Sequence, residues 1–141
     1  MKKNKIYFTY IKDAYEPVVL FFGDPGGFSE FAKFFRFCSQ KINENFNLEE
    51  YSMFVCGDVR IVLKILPKPN GMKKNSDNFF EWGLSLNECE MFAKEFDIFA
   101  SSDKQTAFHQ YLDCGLLDDV VVKVSINEYL PNMFSDIWKN N

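Results

Sequence analysis

The sequence predicts an α+β fold in which about six strands form a mostly antiparallel sheet and three main helices pack on it in a single layer. Two periodicities support this prediction. Short stretches alternate apolar and polar residues, and longer stretches repeat apolar residues every three or four positions. The chain has 141 residues, of which 47% are hydrophobic. That length and composition suit a single α+β domain, residues 1–141, with a sizeable core.

The first part of the chain predicts a hairpin followed by a phenylalanine-rich helix. Residues 5–11 and 17–22 have the character of strands, and the short link between them favours antiparallel pairing. The run Gly23-Asp24-Pro25-Gly26-Gly27 then reverses the chain. Apolar residues of the following helix form one stripe: Phe28, Phe31, Phe35, Cys38 and Ile42. Phe37 lies outside this stripe, so either a second element covers it or it is a contact residue.

The middle of the chain predicts three further strands and one long loop. Residues 43–50 are polar and are predicted to be a linker. Residues 51–56 and 59–66 are predicted strands, separated by a Gly-Asp turn. Residues 67–78 contain two prolines and three lysines and form the longest predicted loop, either a hairpin connection or a mobile flap. Residues 79–84 are the next predicted strand.

Capping patterns predict two more helices in the last third of the chain. Ser85-Leu86-Asn87-Glu88 matches a capping box, which opens a second helix from Leu86 to about Ala100. Ser102-Asp103-Lys104-Gln105 repeats the pattern and predicts a shorter third helix, whose core-facing residues are Ala107, Phe108, Tyr111 and Leu112. Residues 119–126 form the last predicted strand. A short helix is predicted after Pro131.

No residue pattern predicts catalysis, a cofactor or a metal site. The four cysteines stand far apart without a CxxC pair, so we expect structural free thiols. His109 is the one histidine, and it is predicted on the solvent side of the third helix without a nucleophile or an orienting acid beside it. The pairs Glu49-Glu50 and Asp118-Asp119 lie in predicted turns, where adjacent acids are usually solvated. We therefore expect a protein that is not an enzyme.

The amino terminus does not have the pattern of an export signal. It is basic, but Thr9, Lys12 and Asp13 interrupt its apolar run, and a small-residue cleavage site is missing. No stretch approaches the roughly 20 apolar residues of a membrane span. We therefore expect a cytoplasmic protein that does not bind a membrane.

Charge is distributed unevenly along the chain. Residues 1–76 contain 12 basic and 8 acidic residues, a net charge of +4. Residues 77–119 contain 2 basic and 10 acidic residues, a net charge of −8. An acidic block of this size repels nucleic acid and attracts a basic protein. We therefore expect a basic protein partner and no direct binding to nucleic acid.

The predicted second helix carries acidic and apolar side chains on one stripe away from its core face, which is typical of a protein interface. The predicted partner-binding residues, with Met91 and Ile98 as apolar anchors, are Glu88, Met91, Glu95, Asp97, Ile98, Asp113, Asp118 and Asp119. The alternative interpretation is a solvated acidic face, with Met91 and Ile98 beneath a neighbouring loop.

The acidic block from Asp77 to Asp119 and the aromatic α+β pattern along nearly the whole chain resemble a known class of protein. The chain is similar to the small cytosolic immunity proteins of bacterial toxin–immunity systems, including contact-dependent growth inhibition. This resemblance implies a single acidic domain that binds a basic nuclease toxin and blocks its active site.

Two other functions are compatible with the sequence. The surplus of aromatic residues, which includes 17 Phe, could line the pocket of a ligand-binding or regulatory domain. The candidate lining residues are Phe37, Trp82 and Tyr129. A small hydrolase or transferase that uses carboxylates is less favoured, because nothing in the sequence supplies a matched acid and base.

Overall fold

The structure is a computed structural model that describes residues 2–101, 107–112 and 117–134. Within these ranges the chain forms two α-helices, α1 (Pro25–Cys38) and α2 (Leu86–Ala100). The same ranges contain nine strands: β1 (Ile6–Ile11), β2 (Val18–Gly23), β3 (Asn45–Asn47), β4 (Phe54–Cys56), β5 (Arg60–Ile65), β6 (Gly71–Ser76), β7 (Phe79–Leu84), β8 (Phe108–Tyr111) and β9 (Val121–Ile126). Short 3₁₀ turns occur at Leu48–Glu50 and Pro131–Phe134.

The strands form two mixed sheets, so the prediction of one mostly antiparallel sheet of about six strands is wrong. The first sheet has the order β4-β1-β2-β9-β8, with parallel pairing between β1 and β4 and between β2 and β9. The second has the order β3-β5-β7-β6, with β5 and β7 parallel. The class remains α+β, but it is built from two helices and two sheets within the described residues.

Two segments that were predicted to lack regular structure contain strands of the second sheet, and one of them explains its mixed pairing. The predicted loop 67–78 includes β6, which pairs antiparallel with β7. Because β6 reverses the chain once more, β7 runs in the same direction as β5. The predicted linker 43–50 includes β3, which pairs with β5 through Phe46 and Leu63.

The predicted third helix is also wrong where the structure describes it. Residues 108–111 form β8, which pairs antiparallel with β9, with Phe108 opposite Ile126 and Gln110 opposite Val124. Four residues are too few to distinguish a helical period from a period of two. The segment forms a strand because it pairs with the edge of β9, and this long-range contact is not visible in the local sequence. Residues 102–106 of the predicted helix lie outside the described residues.

Two predictions that rest on local chemistry are confirmed, and the predicted start of the first helix is corrected. The β1–β2 hairpin is antiparallel. The α2 capping box is present, with the Ser85 side chain accepting from the Glu88 N–H and Glu88 accepting from the Ser85 N–H. Helix α1 begins at Pro25, inside the predicted turn, because Asp24 accepts the Gly27 N–H at 2.7 Å as its N-cap. Proline suits the first helical position because no intrahelical bond there needs its N–H.

The main core lies between the two sheets and the helices, and aromatic rings fill much of it. Phe31 of α1 is fully buried. Its ring stacks on Phe35 at 4.9 Å and on Phe96 of α2 at 4.5 Å between centroids. Phe21 of the first sheet stacks on Trp82 of the second at 5.3 Å. The ring of Phe31 also lies 5.5 Å from that of Phe21, and the ring of Phe35 lies 5.7 Å from that of Trp82. The phenylalanine-rich helix α1 therefore joins α2 to both sheets.

A second, smaller apolar cluster lies on the opposite face of the first sheet. It consists of Tyr7, Leu20, Phe22 and Val55. The rings of Tyr129 and Phe134 lie 6.0 and 5.4 Å from that of Phe22, so residues 127–134 cover this face. The first sheet is therefore covered on both sides.

Candidate partner-binding surface

Helix α2 buries one side and exposes a continuous face on the other. Its buried residues are Cys89, Phe92, Ala93, Phe96 and Phe99. The exposed residues, which we call the α2 outer face, are Asn87, Glu90, Met91, Lys94, Asp97, Ile98 and Ser101. Met91 is 54% exposed and Ile98 is 66% exposed, so no described loop covers either of them. Large apolar side chains at that exposure, among charged residues, fit a protein contact surface.

Two of the predicted acidic residues on α2 are held by internal contacts. Glu88 belongs to the capping box, where its Oε1 accepts the Ser85 N–H at 3.0 Å. Asp97 forms a two-point ion pair with Arg36 of α1, in which the Nη1–Oδ1 distance is 3.3 Å. The geometry of both carboxylates is therefore fixed by contacts within the fold. Glu90 is absent from the predicted set but lies on the exposed face. It precedes Lys94 by four residues and Asp97 by seven, a spacing that places all three on one side of a helix and could have identified it.

Glu95 is turned toward β8 and is not part of the α2 outer face. Its Oε2 is buried and has no hydrogen-bond partner among the described residues. Burial raises the pKa of the Glu95 carboxyl above its ordinary value, and a hydrogen bond with Gln110 opposes that shift only in part. A half-satisfied carboxylate in this position costs stability at neutral pH.

The substitution Glu95→Gln is expected to stabilise the protein at pH 7 by about 1 kcal/mol, because it removes a poorly satisfied buried charge. A group whose pKa is higher in the folded state than in the unfolded state stabilises the fold at pH values below its unfolded pKa. This contribution is lost as pH rises through the folded pKa. The advantage of the variant should therefore shrink as pH falls toward about 4. Urea denaturation across this pH range measures it, with the exposed Glu90→Gln as control. An equal advantage at every pH would contradict this account.

Asp118 and Asp119 cover the open edge of β6 and have a structural role there. Asp118 Oδ1 accepts the Met72 N–H at 2.8 Å, and Asp119 Oδ2 accepts the Lys74 N–H at 3.0 Å. The Asp119 N–H donates to the Met72 carbonyl at 2.8 Å. Gly71, with φ of +72°, permits this approach, since a Cβ there would lie 2.6 Å from Asp118 Oδ1. An exposed edge strand invites unwanted pairing, and this segment prevents it.

Replacing Asp118 by alanine is expected to destabilise the protein by about 1 to 3 kcal/mol, because the Met72 N–H loses its acceptor. Amide hydrogen exchange at Met72 should become faster than in the wild type. Asp13→Ala, a change at an exposed turn position, is the matched control and should have little effect. Unchanged exchange at Met72 would show that the carboxylate does not protect the edge.

Ion pairs connect the basic first half of the chain with the acidic block. The Nζ of Lys12 lies 3.5 Å from Asp77, and that of Lys73 lies 3.7 Å from Asp119. Lys64 pairs with Glu81, and Arg36 pairs with Asp97. The uneven charge distribution in the sequence is thus partly compensated within the fold. The predicted residue Asp113 lies outside the described residues.

The three aromatic residues proposed as a pocket lining do not come together. Trp82 is buried in the main core, and Tyr129 packs on Phe22 on the far side of the first sheet. Phe37 is 45% exposed on α1, where its ring meets Phe46 edge-on at 5.8 Å and Lys41 Nζ lies 5.1 Å from the centroid. Phe37 is therefore partly covered and partly exposed.

Among the described residues, Cys38, Cys56, Cys89 and Ser125 are not arranged for nucleophilic catalysis. Burial raises the pKa of the Cys56 and Cys89 thiols to about 12, and it also raises that of Cys38, which keeps all three protonated. His109 Nδ1 lies 3.2 Å from Glu128 Oε1. The buried Ser125 hydroxyl donates to the same carboxylate. Because the carboxylate lies between the serine and the histidine, this cluster lacks the histidine–nucleophile bond of a catalytic triad.

Within the described ranges, no group of three or more His, Cys, Asp and Glu residues has the geometry to hold a metal ion. Neither of the described helices is long and apolar enough to cross a membrane. No protein-family model matches the chain, and no curated protein or solved structure matches it.

Proposed function

We propose that the protein is a non-enzymatic immunity protein, which acts in the cytoplasm by binding and neutralising a basic cognate toxin. The toxin is proposed to be a nuclease, and the α2 outer face is proposed as the contact surface. One observation carries this proposal: Met91 and Ile98 are each more than half exposed on a charged face that also carries Glu90, Lys94 and Asp97.

The spacing of the two apolar residues supports a role as anchors. They are seven residues apart, so they project from the same side of α2 about 10.5 Å apart along the axis. Binding energy in protein interfaces concentrates in a few apolar anchors that are surrounded by polar residues which exclude water. The charged side chains of Glu90, Lys94 and Asp97 supply such a rim. Asp97 is already paired with Arg36, so Glu90 is the carboxylate that matches a basic partner in charge.

In this proposal the protein inhibits the toxin by covering the surface that binds the toxin's substrate. A nuclease binds the phosphate backbone of its substrate through a basic surface. A rigid helix that places carboxylates over that surface competes with the substrate for the same lysine and arginine residues. The formal net charge of the chain, −4, favours fast association with such a partner.

The proposal is tested by capture and then by measurement of affinity. The tagged chain is used to capture proteins from the source cells at about 0.05 M and about 0.5 M NaCl, conditions that differ strongly in screening. We expect a basic protein that is retained better at low salt. The dissociation constant of the purified pair should then rise with salt concentration. Glu90→Lys should raise it further. Glu44→Lys, a matched control at another exposed position, should change it less. An affinity independent of salt and of Glu90→Lys would overturn the proposal.

A further inference from the structure

Lys94 is the one charged residue of the α2 outer face that neighbours both apolar anchors. It follows Met91 by three positions and precedes Ile98 by four, and residues at these spacings are adjacent on a helix surface. The other two charged residues of the face, Glu90 and Asp97, have neither of these spacings from an anchor. A partner that covers both anchors therefore also covers Lys94.

The ammonium group of Lys94 has no counter-charge within the part of the chain that the structure describes. Lys94 is exposed, and its side chain forms no ion pair or hydrogen bond with a described residue. Asp97 is held in its ion pair with Arg36 of α1. Glu95 has similar spacings from the two anchors, but it is turned toward β8, where it hydrogen-bonds with Gln110. Neither of these carboxylates compensates the charge of Lys94.

An uncompensated ammonium group is costly to cover. Removing a charge from water without a counter-charge opposes binding, even where apolar surface is buried beside it. A uniformly basic partner would add repulsion to this cost, because like charges across an interface disfavour association. A partner that buries both anchors is therefore expected to supply an anionic group at Lys94.

We propose that the basic partner presents a carboxylate to Lys94, between the parts of its surface that contact Met91 and Ile98. This inference rests on the proposed function. It makes Lys94 a specificity-determining residue, because a basic protein without an acid at this position is disfavoured. The partner's contact surface is then basic opposite Glu90 and acidic opposite Lys94. Metal-dependent nucleases carry acids among basic residues, since carboxylates hold their divalent metal ions.

The test is the dissociation constant of the captured and purified partner for Lys94→Met, which removes the charge and keeps an apolar stem. We expect the affinity to fall about tenfold, and Lys94→Glu should lower it further. A uniformly basic partner predicts the opposite sign, because the substitution then removes a repulsion. Lys68→Met, at an exposed lysine in the turn between β5 and β6, is the matched control and should not change the affinity. Position 94 is exposed and methionine favours helix, so the variant is expected to fold normally.

A magnesium titration at constant ionic strength distinguishes two sources of the carboxylate. Competition between Mg²⁺ and the wild-type chain indicates a carboxylate of the partner's metal site. An affinity independent of Mg²⁺ indicates a carboxylate elsewhere on the partner's surface. Either result supports the inference if Lys94→Met weakens binding.

Unchanged or tighter binding of Lys94→Met would overturn the inference. If Glu90→Lys still weakens binding in that case, the proposed function stands without it. If neither substitution weakens binding and the affinity is independent of salt, or if no basic partner is captured, both the inference and the proposed function fail.

Discussion

Phe31→Ala is expected to lower the free energy of unfolding by about 3 to 5 kcal/mol, the usual cost of removing a buried phenylalanine from a core. Phe31 is fully buried on α1. Besides its stacking on α2, its ring lies 5.5 Å from that of Phe21 in β2 and 5.3 Å from that of Phe54 in β4. One substitution therefore weakens three elements at once. Domains of this size are typically stable by about 5 to 15 kcal/mol, so the expected loss is a large part of the total.

The matched control for this prediction is on the same helix. Phe37→Ala removes an identical side chain that is half exposed, and we expect it to cost no more than about 1 kcal/mol. Equilibrium urea denaturation of the two variants measures the difference. Similar losses for both would show that α1 is not oriented as described, with Phe31 in the core and Phe37 at the surface.

The double substitution Met91→Ala with Ile98→Ala is expected to weaken partner binding about 30-fold or more. Two interface anchors that lose roughly 1 to 2 kcal/mol each would give a change of this size. Stability should hardly change, because both side chains are exposed and alanine favours helix. The measurement is calorimetric titration of the purified partner with wild-type and doubly substituted chains.

Met133→Ala is the control for surface methionines. Met133 is 58% exposed in the 3₁₀ turn at Pro131–Phe134, away from α2, and its loss should not alter the affinity. If the double variant binds as tightly as the wild type while Met133→Ala weakens binding, the contact surface lies elsewhere on the molecule.

The sequence was most informative where the structure depends on residues that are close together along the chain. The capping box at Ser85 and Glu88 and the apolar stripe of α1 are local signals, and both identified a helix. The predicted stripe was too long, because α1 ends at Cys38 and Ile42 is exposed beyond its end. Strand pairing is non-local. The Met72–Trp82 and Leu63–Trp82 registers place β7 between β6 and β5, and no property of those residues alone selects a parallel or an antiparallel neighbour.

The candidate site was predictable only in part for the same reason. A helical wheel identified Met91 and Ile98, because exposure around a helix follows from the period of 3.6 residues. It could not show that Glu95 faces Gln110 of β8, since residues 108–111 were predicted to be helical. It also could not show that Asp118 and Asp119 bond to β6. Charge counted along the sequence omits the ion pairs that form between distant segments.

The central claim is that the α2 outer face contacts a basic partner, and methyl NMR tests it most directly. The chain is labelled at the methionine methyl and isoleucine δ1-methyl groups and titrated with the captured partner. We expect the methyl signals of Met91 and Ile98 to shift or broaden while that of the exposed Met133 stays in place. Unchanged Met91 and Ile98 signals in a saturated complex would contradict the claim.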